Sequence, residues 1–402
     1  MKKNKELIKR YFYHISLLFI LSIPLFILKV IKDFNPVEKI FADIQFSDLY
    51  FQNKHSENKK SNNIYIVDIG TDKSIDTTRK KLTNFLKEVN HNEFRPKVIG
   101  IDLFLNSYNN YEIDSLLSIE LKDSNVILSS QIEIFKDETE HKTFPNFPRK
   151  LFLNNNACGF TNLGDKIEDH EKTVRFFIPE IEINKKTYRH FSIEVAKKFN
   201  YSKFNYFESS ISTDIPCVIN YNSNFKENRI DLNEINNFEF LKNKIVLIGL
   251  YNLDKNNQPT HIEDLHFTPT NYRMIGKSFP DMYGIEIHAN IIQSIIDENV
   301  VKSNKTMNFI IEIILGLFIY YIFLRFYFIN KKVFIILRFF LQIFTVVVLV
   351  FLSSYQPTIP VFNVQVDYTL LALICFFSAE IMIFNENIIN KQAPKILKFF
   401  KK

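Results

Sequence analysis

The run IYIVDI at Ile64–Ile69 opens the stretch of sequence that decides the fold, and KVIGIDLF at Lys97–Phe104 closes it. Apolar and β-branched residues fill both runs, which is typical of short buried strands. Between them, Asp76–Asn90 places apolar residues at helical spacing, and a short helix at Ile113–Leu121 precedes a third strand-like run at Asn125–Gln131. This order predicts a β-α-β-α-β unit, in which helices cover a parallel sheet.

The chain beyond Gln131 continues the alternation less regularly. KIVLIG at Lys244–Gly249 is apolar throughout, as a buried parallel strand requires, and Ile285–Glu298 is predicted to be a helix. Three further strands and one helix are predicted at Cys158–Asn162, Val174–Ile178, Pro216–Asn220 and Phe191–Phe199. The Asn- and Lys-rich stretches Gln52–Asn63 and Asp137–Arg149 are expected to be loops. The predicted fold class is therefore an α/β layered sandwich with a mostly parallel central sheet. Its central strands are expected at Ile64–Ile69, Lys97–Ile101 and Lys244–Ile248.

Four apolar stretches flank this polar block, and each approaches the ~20 residues that a membrane-spanning helix needs. The predicted spans are 11–31, 308–328, 333–352 and 366–384. They divide the chain into an N-terminal tail (1–10), one large domain (33–306), a three-helix membrane module and a basic C-terminal tail (385–402).

The positive charges predict the orientation, because Lys and Arg near membrane helices favour the cytoplasm. Both tails are rich in these residues, Lys331 and Lys332 separate the second and third spans, and Ser353–Gln365 carries none. Both termini are therefore expected in the cytoplasm, with the large domain outside. The alternative for the first span is a cleaved signal peptide. No A-x-A-like site follows it, and Lys29 and Lys32 flank its far end, which favours an uncleaved anchor.

Composition narrows the classes of function. The net charge of +6 comes mostly from juxtamembrane Lys, which favours contact with anionic membrane lipids and gives no sign of nucleic-acid binding. No metal-binding spacing such as C-x-x-C occurs, and no cofactor is predicted. Cys158 and Cys217 form either a disulfide or, as their strand-like surroundings favour, two buried thiols.

Acidic residues follow the predicted strands. Asp68 ends the first strand, Asp102 ends the second, and Asp72 and Asp114 lie on the segments that follow. Functional groups gather at the carboxyl edge of open α/β sheets, so Asp68 and Asp102 are expected to line one pocket for a small ligand or a divalent cation. The alternative is that these acids only cap helices and order loops.

Several of these runs resemble one known family. The matching segments, in order, are VDIG at Val67–Gly70, VIGIDLF at Val98–Phe104, INYN at Ile219–Asn222, LKNKIVLIG at Leu241–Gly249, LHFTP at Leu265–Pro269 and GIEIHANIIQSII at Gly284–Ile296. Together they resemble the extracellular sensor domain called CHASE type 2 (cyclases/histidine kinases associated sensory extracellular). Members of that family have one span before the domain and three after it, and the resemblance covers about residues 35–385.

The resemblance implies a small set of site residues. Asp68, Asp102 and Asp114 match acidic positions of the family, Thr268 matches its TP loop, and His288 matches the start of its final helix. A structural role for His288 is the alternative, since a histidine on an apolar helix is commonly a hydrogen-bonded packing residue.

The chain departs from the family in two places. Asp72–Lys81 lacks the Trp-Pro-x-Pro-Arg element of many members, so that only Arg79 stands in for its arginine. Family members usually continue into a cytoplasmic enzyme, whereas only residues 385–402 follow the last predicted span.

The resulting hypothesis is a bacterial inner-membrane sensor that detects an unknown small extracytoplasmic ligand and signals through a separate cytoplasmic or membrane effector. The alternative is a structural or transport-associated membrane subunit without ligand sensing, and a homodimer is compatible with both. An enzyme is disfavoured because no nucleophile elbow, H-E-x-x-H or P-loop motif occurs. Within the membrane module, Glu380 is predicted to pair with Arg338, with Arg325 as the second choice, because unpaired charges in a bilayer are costly. The alternative is that each reaches the headgroups alone.

Overall fold

A computed structural model gives the fold of two compact units, which are considered separately: an α/β unit (residues 51–304) and a helical unit (residues 1–50 and 305–402). The structure describes residues 48–55, 59–70, 74–90, 93–123, 125–136, 141–154, 156–164, 173–208, 215–232, 238–254, 258–271, 279–302, 305–355, 358–359, 364–365 and 383–384.

Short strands and seven helices make up the described part of the α/β unit. The strands are β1 Lys59–Lys60, β2 Ile64–Asp68, β3 Val98–Ile101, β4 Val126–Lys136, β5 His141–Asn146, β6 Ala157–Phe160, β7 Phe176–Phe177, β8 Glu180–Ile183, β9 Lys186–Arg189, β10 Cys217–Val218, β11 Ser223–Asn224, β12 Arg229–Asp231, β13 Ile245–Gly249, β14 Leu265–His266, β15 Met282–Tyr283 and β16 Val301–Lys302. The α-helices are α1 Asp48–His55, α2 Ile75–Asn90, α3 Tyr111–Glu120, α4 Lys150–Leu153, α5 Phe191–Phe199, α6 Tyr201–Glu208 and α7 Gly284–Ile296. Single 3-10 turns lie at Lys226–Asn228 and Glu239–Leu241.

The central sheet is mostly parallel, as predicted. Its parallel strands lie in the order β12-β2-β13-β3-β4-β6. The second half of β4 leaves the parallel register and forms an antiparallel ladder with β5. The three strands that were predicted to be central, β2, β3 and β13, each have a neighbouring strand on both sides. β13 lies between β2 and β3, although it follows them late in the chain.

Helices cover both faces of this sheet. On one face, alternate strand residues such as Ile99 and Ile101 pack against Leu86 of α2 and Leu117 of α3. On the other face, α5 lies so close to β3 that a Cβ atom at Gly100 would be 2.9 Å from the Phe191 ring. α7 packs on the same face, where a Cβ atom at Gly249 of β13 would be 3.2 Å from Ile285. The result is a three-layer α/β/α sandwich. Because both faces of the sheet are covered, its central strands are apolar throughout.

Side-chain caps fix where two of the helices begin. The Asn110 side chain accepts hydrogen bonds from the main-chain N–H groups of Glu112 and Ile113, and α3 starts after it. His190 plays the same part for α5, since its Nδ1 accepts from the N–H of Ser192. These polar caps satisfy donors that the helix leaves unpaired, which places the first turn of each helix.

Two predicted loops are partly regular structure. The stretch Asp137–Arg149 contains β5, and Gln52–Asn63 contains the end of α1 together with β1. β4 also runs to Lys136 rather than ending at Gln131, because its second half forms hydrogen bonds with β5. The hairpin β8-β9 and the edge strand β12 were not predicted. Cys158 and Cys217 are free thiols on β6 and β10, and burial raises the pKa of Cys158 to about 11.

The described part of the helical unit is dominated by α8 (Lys305–Ile329) and α9 (Lys331–Tyr355), followed by the short hairpin β17 (Thr358–Ile359) and β18 (Val364–Gln365). Asn330 alone separates the two helices, and the Phe334 ring packs edge-on against the Tyr327 ring across the turn.

Within the described residues, one helix segment, Lys331–Leu352, is long and apolar enough to cross a membrane, and Ile313–Ile329 is a shorter apolar segment. Large apolar side chains of this segment, including Ile336 and Phe340, are exposed, which favours membrane association over a water-soluble surface. The predicted span 11–31 and residues 366–382 of the last span lie outside the described residues, as does Glu380 of the predicted ion pair.

Candidate ligand site at the carboxyl edge of the sheet

A cavity of about 370 Å³ opens at the carboxyl edge of the central sheet. The strands β3, β6 and β13 contribute residues just beyond their carboxyl ends, where ligands of open α/β sheets commonly bind. The cavity is lined by Asp102, Leu103 and Phe104 after β3, Gln131 of β4, Thr161, Asn162 and Leu163 after β6, Leu250 after β13, Asp264 and His266 around β14, and Gly284 and His288 of α7.

Asp102 brings a carboxylate to this cavity at the end of β3. Its N–H donates to the carbonyl of Ile248 over 2.8 Å, which holds the residue in the sheet register. The side chain is only 13% exposed, and its Oδ2 lies 3.8 Å from Nε2 of His288. Burial, and secondarily the negative charge of Asp264, raises the pKa of Asp102 well above its usual value. Asp102 is thus a carboxyl group that readily holds a proton.

His288 faces Asp102 from the second turn of α7. Its Nδ1 lies 3.1 Å from the hydroxyl of Ser192, and its ring packs against His190 and Phe191. Burial first, and then the neighbouring His190 and His266, lower the pKa of His288 well below its usual value. Burial thus favours the neutral forms of both His288 and Asp102, and their 3.8 Å separation is longer than a hydrogen bond.

Asp264 and His266 complete the polar lining. Asp264 has a left-handed main chain (φ +59°), and its carbonyl accepts from the N–H of Gly284 over 3.0 Å. Its carboxylate lies against Gly284, where a Cβ atom would be 2.8 Å from Oδ1. Gly284 therefore lets a carboxylate approach the N-terminus of α7, where the helix dipole favours negative charge. Nε2 of His266 lies 3.5 Å from the same carboxylate.

Asp68 was predicted to share a pocket with Asp102, and the structure places it elsewhere. Its carboxylate accepts from the guanidinium of Arg229 and from the N–H groups of Gly70 and Tyr251. It is not among the residues that line the cavity. Because β13 lies between β2 and β3, the two aspartates lie two strands apart along the same edge. Asp68 orders the loops there.

Both carboxylate oxygens of Asp114 likewise accept hydrogen bonds from within the protein. Its Oδ1 accepts from Arg79 over 2.6 Å, and its Oδ2 accepts from the N–H of Asn109. Arg79 further donates to the carbonyl of Ser107 and lies over the Phe152 ring. The arginine that stands in for the family position thus holds α2 against α3.

Thr268 lies in a separate buried network. Its N–H and hydroxyl both donate to Asp281, and its hydroxyl lies 2.7 Å from that of Thr270. Burial raises the pKa of Asp281 to about 6, although the bonds from Thr268 oppose the shift. Asp72 lies outside the described residues.

A buried acid lies deeper in α7 and was not predicted. Glu286 is 4% exposed, and burial raises its pKa to about 7, while the charge of Lys226 and the hydroxyl of Tyr251 lower it. That hydroxyl faces the carboxylate without meeting hydrogen-bond geometry, so it is a polar neighbour rather than a firm partner. GIEIHAN contains Glu286, but a helical pattern alone does not distinguish a buried acid from an exposed one.

Sequence reasoning found Asp102 and His288 of the cavity and missed Asp264 and His266. These two flank the start of the LHFTP motif, in a segment without helical or strand periodicity. The nearest signal was their position immediately before and within that motif. Among the described residues, no group of three or more His, Cys, Asp or Glu side chains has a metal-holding arrangement.

A second cavity, of about 300 Å³, lies beside β6 and the β8-β9 hairpin and includes Cys158 and Arg189. Its arginine, Arg189, already donates hydrogen bonds to Glu180 and to Glu208 and is therefore not free to bind a ligand. The cavity at the carboxyl edge, where Asp102 and His288 face each other without a hydrogen bond, is the better candidate site.

Comparison with known proteins gives one match. A family model, described as the CHASE2 domain, matches residues 18–324, which include every residue that lines the cavity. No curated protein and no solved structure matches the chain.

Proposed function

The chain belongs to the CHASE2 family of sensor domains, and from this premise we propose that it is a membrane-anchored sensor that binds a small extracytoplasmic ligand in the cavity at the carboxyl edge of its sheet. The observation that carries the proposal is the facing pair of Asp102 and His288. Both are nearly buried, both lie on the cavity, and they stay 3.8 Å apart. Polar groups left in this way are ready to hydrogen-bond a ligand.

The proposed relay starts at α7. Gly284 and His288 bring the first turns of this helix to the cavity, and the chain leaves α7 at Ile296 and enters α8 at Lys305. A ligand that binds one arrangement of α7 more tightly than another would shift the population between the two. We propose that α8 and α9 carry this shift to a separate effector protein and that the chain itself catalyses no reaction.

Ligand binding can be tested without knowing the ligand. The 402-residue chain in lipid nanodiscs is melted with and without the small-molecule fraction of the cells that produce it. We expect the extract to raise the melting temperature of the natural chain. Leu163→Trp, which fills the cavity, should abolish the rise, whereas Leu116→Trp on the exposed face of α3 should keep it. An extract that stabilises all three chains equally, or none of them, contradicts binding in this cavity.

The relay is tested by crosslinking in native membranes from photoreactive groups placed in the tail 385–402. A sensor should crosslink to an effector with a yield that differs between the natural chain and Leu163→Trp. A structural or transport-associated subunit, the alternative function, should keep the same partners at the same yield in both chains.

A further inference from the structure

We propose that the ligand of this cavity carries a protonated amine, which binds between the carboxylates of Asp102 and Asp264. The inference rests on the proposed function and narrows it to a class of ligand. It follows from the charges on the cavity wall, from a cavity-lining histidine nitrogen without a hydrogen bond, and from the lack of a metal-holding group among the described residues.

The charges on the cavity wall have one sign. Among the described residues that line it, Asp102 and Asp264 are the acids, and no lysine or arginine faces them. The two carboxylates repel each other, since the charge of Asp264 adds to the effect of burial on Asp102. An ammonium group between them would remove this repulsion and could donate a charge-assisted hydrogen bond to each carboxylate.

His288 supplies the second, independent observation. The residue is 1% exposed and lines the cavity, yet its Nε2 makes no hydrogen bond within the described residues, with Oδ2 of Asp102 as its polar neighbour at 3.8 Å. This ring nitrogen on the cavity wall therefore keeps its hydrogen-bonding capacity free for a bound molecule. Its position beside Asp102 indicates that the missing partner is a polar group of the ligand.

Unlike Asp102, Asp264 approaches a helix terminus. Its carboxylate lies against Gly284 at the N-terminus of α7, where the helix dipole favours an anion. Asp102 lies at the end of β3 without such a dipole, and burial raises its pKa. An ammonium group beside Asp102 would oppose this shift, because a nearby positive charge favours the ionised carboxylate.

An organic cation fits this wall better than a metal ion. Divalent cations take several oxygen ligands at once, and no described group of three or more His, Cys, Asp or Glu side chains is arranged to provide them. Phe104, Leu103, Leu163 and Leu250 add apolar surface, which suits the carbon skeleton of an amine, and an aromatic ring also attracts cations. Gln131, Thr161 and Asn162 offer polar groups for further substituents.

The proposal has a consequence for pH. The titratable groups that line the cavity around Asp102 are Asp264 and His266 from the β14 region and His288 from α7, while β4, β6 and β13 contribute uncharged residues there. Because the amine favours ionised Asp102, binding should release a proton. Affinity should therefore rise with pH as Asp102 loses its proton, until the amine itself begins to lose its charge.

The test uses matched probes with the 402-residue chain in nanodiscs and isothermal titration calorimetry. The amines are 1,4-diaminobutane and glucosamine, and their neutral partners are 1,4-butanediol and glucose. Succinate, Ca²⁺ and Mg²⁺ complete the set. We expect each amine to bind more tightly than its neutral partner. Asp102→Asn and Asp264→Asn should each weaken amine binding by about tenfold or more, since a charge-assisted hydrogen bond is lost. Asparagine tolerates the left-handed main chain of position 264, which keeps that variant comparable.

Glu88→Gln, an exposed change on α2, is the matched control and should leave amine binding unaltered. Melting of each variant checks that it is folded. Asp102→Asn should also flatten the rise of amine affinity with pH, which a merely structural role would not do. Equal binding of amines and neutral partners, or tighter binding of succinate, Ca²⁺ or Mg²⁺, overturns the amine inference. If the cell extract still stabilises the natural chain but not Leu163→Trp, the sensor proposal survives that result. If neither the probes nor the extract stabilise or bind the natural chain, both the sensor proposal and the amine inference are wrong.

Discussion

Arg79 donates to Asp114 over 2.6 Å, with the two side chains only 4% and 1% exposed. The bond joins α2 to α3, and each partner is also bonded to the main chain of the segment between these helices, through Ser107 and Asn109. A buried ion pair of this kind is sustained by its full set of hydrogen bonds, so the loss of one partner leaves an uncompensated charge.

The first prediction concerns this pair. Arg79→Met should lower the free energy of unfolding by roughly 3–5 kcal/mol, because Asp114 would remain buried without its cation. Thermal or chemical unfolding of the chain measures the loss. Lys60→Met is the control, since Lys60 and Glu227 form a largely exposed pair that should contribute at most about 1 kcal/mol. Equal losses in the two variants would contradict a special role for the buried pair.

The second prediction concerns the approach of β6 to α5. A Cβ atom at Gly159 would lie 2.5 Å from Cα and 2.6 Å from N of Phe191, both main-chain atoms that cannot rotate away. Gly159→Ala should therefore destabilise the fold by about 3 kcal/mol or more, at or above the usual cost of overpacking. At Gly249 the same atom would meet the Ile285 side chain at 3.2 Å, so Gly249→Ala should cost clearly less. Melting temperatures that rank the two variants in the opposite order would refute this packing.

The third prediction is a dependence of stability on pH. Burial raises the pKa of Glu286 from 4.5 to about 7, so the folded chain holds this proton more tightly than the unfolded chain. The contribution of Glu286 to the free energy of unfolding should thus be greatest below about pH 4.5 and decline as pH rises through about 7, by on the order of 3 kcal/mol in total.

Glu286→Gln removes this titration and should lose that decline. The melting temperature of the variant relative to the natural chain should therefore increase from about pH 5 to about pH 8. The comparison cancels the contributions of other groups, such as His190, whose pKa burial lowers to about 3. A difference between the two chains that does not change with pH would show that Glu286 is ionised throughout.

The fourth prediction is the topology. In a chain whose three cysteines are replaced, a cysteine at Tyr201, which is exposed on α6, should react with a membrane-impermeant thiol reagent in intact cells. A cysteine at Lys398 should react only after the membrane is opened, because the basic tail is expected in the cytoplasm. The reverse pattern would invert the orientation of the sensor.

The sequence was informative wherever a residue's own segment determined its environment. The apolar runs of β2, β3 and β13 identified the three central strands, because burial on both faces leaves a direct trace in composition. β5 left no such trace, since His141–Asn146 is a polar strand whose pairing with β4 depends on a partner outside its own segment.

The site was harder to predict because the order of strands in a sheet cannot be inferred from the sequence of any one strand. Asp68 and Asp102 end successive strands along the chain, yet β13 separates them in the sheet. The Asp114–Arg79 bond and the approach of Asp264 to Gly284 likewise join segments that are distant in sequence. Asp102 and His288 were found, through strand-end position and family resemblance, but their contact depends on how α7 packs on the sheet.

The insertion of β13 between β2 and β3 also constrains how the chain reaches its native state. β3 ends at Ile101 and β13 begins at Ile245. More than a hundred residues must therefore be synthesised after β2 and β3 before the strand that lies between them is available. Pairings so distant in sequence are slow to form, and unpaired strand edges invite aggregation in the meantime. The nascent chain therefore cannot complete its sheet strand by strand as it emerges, because β2 and β3 lack their shared neighbour until KIVLIG at Lys244–Gly249 has been synthesised.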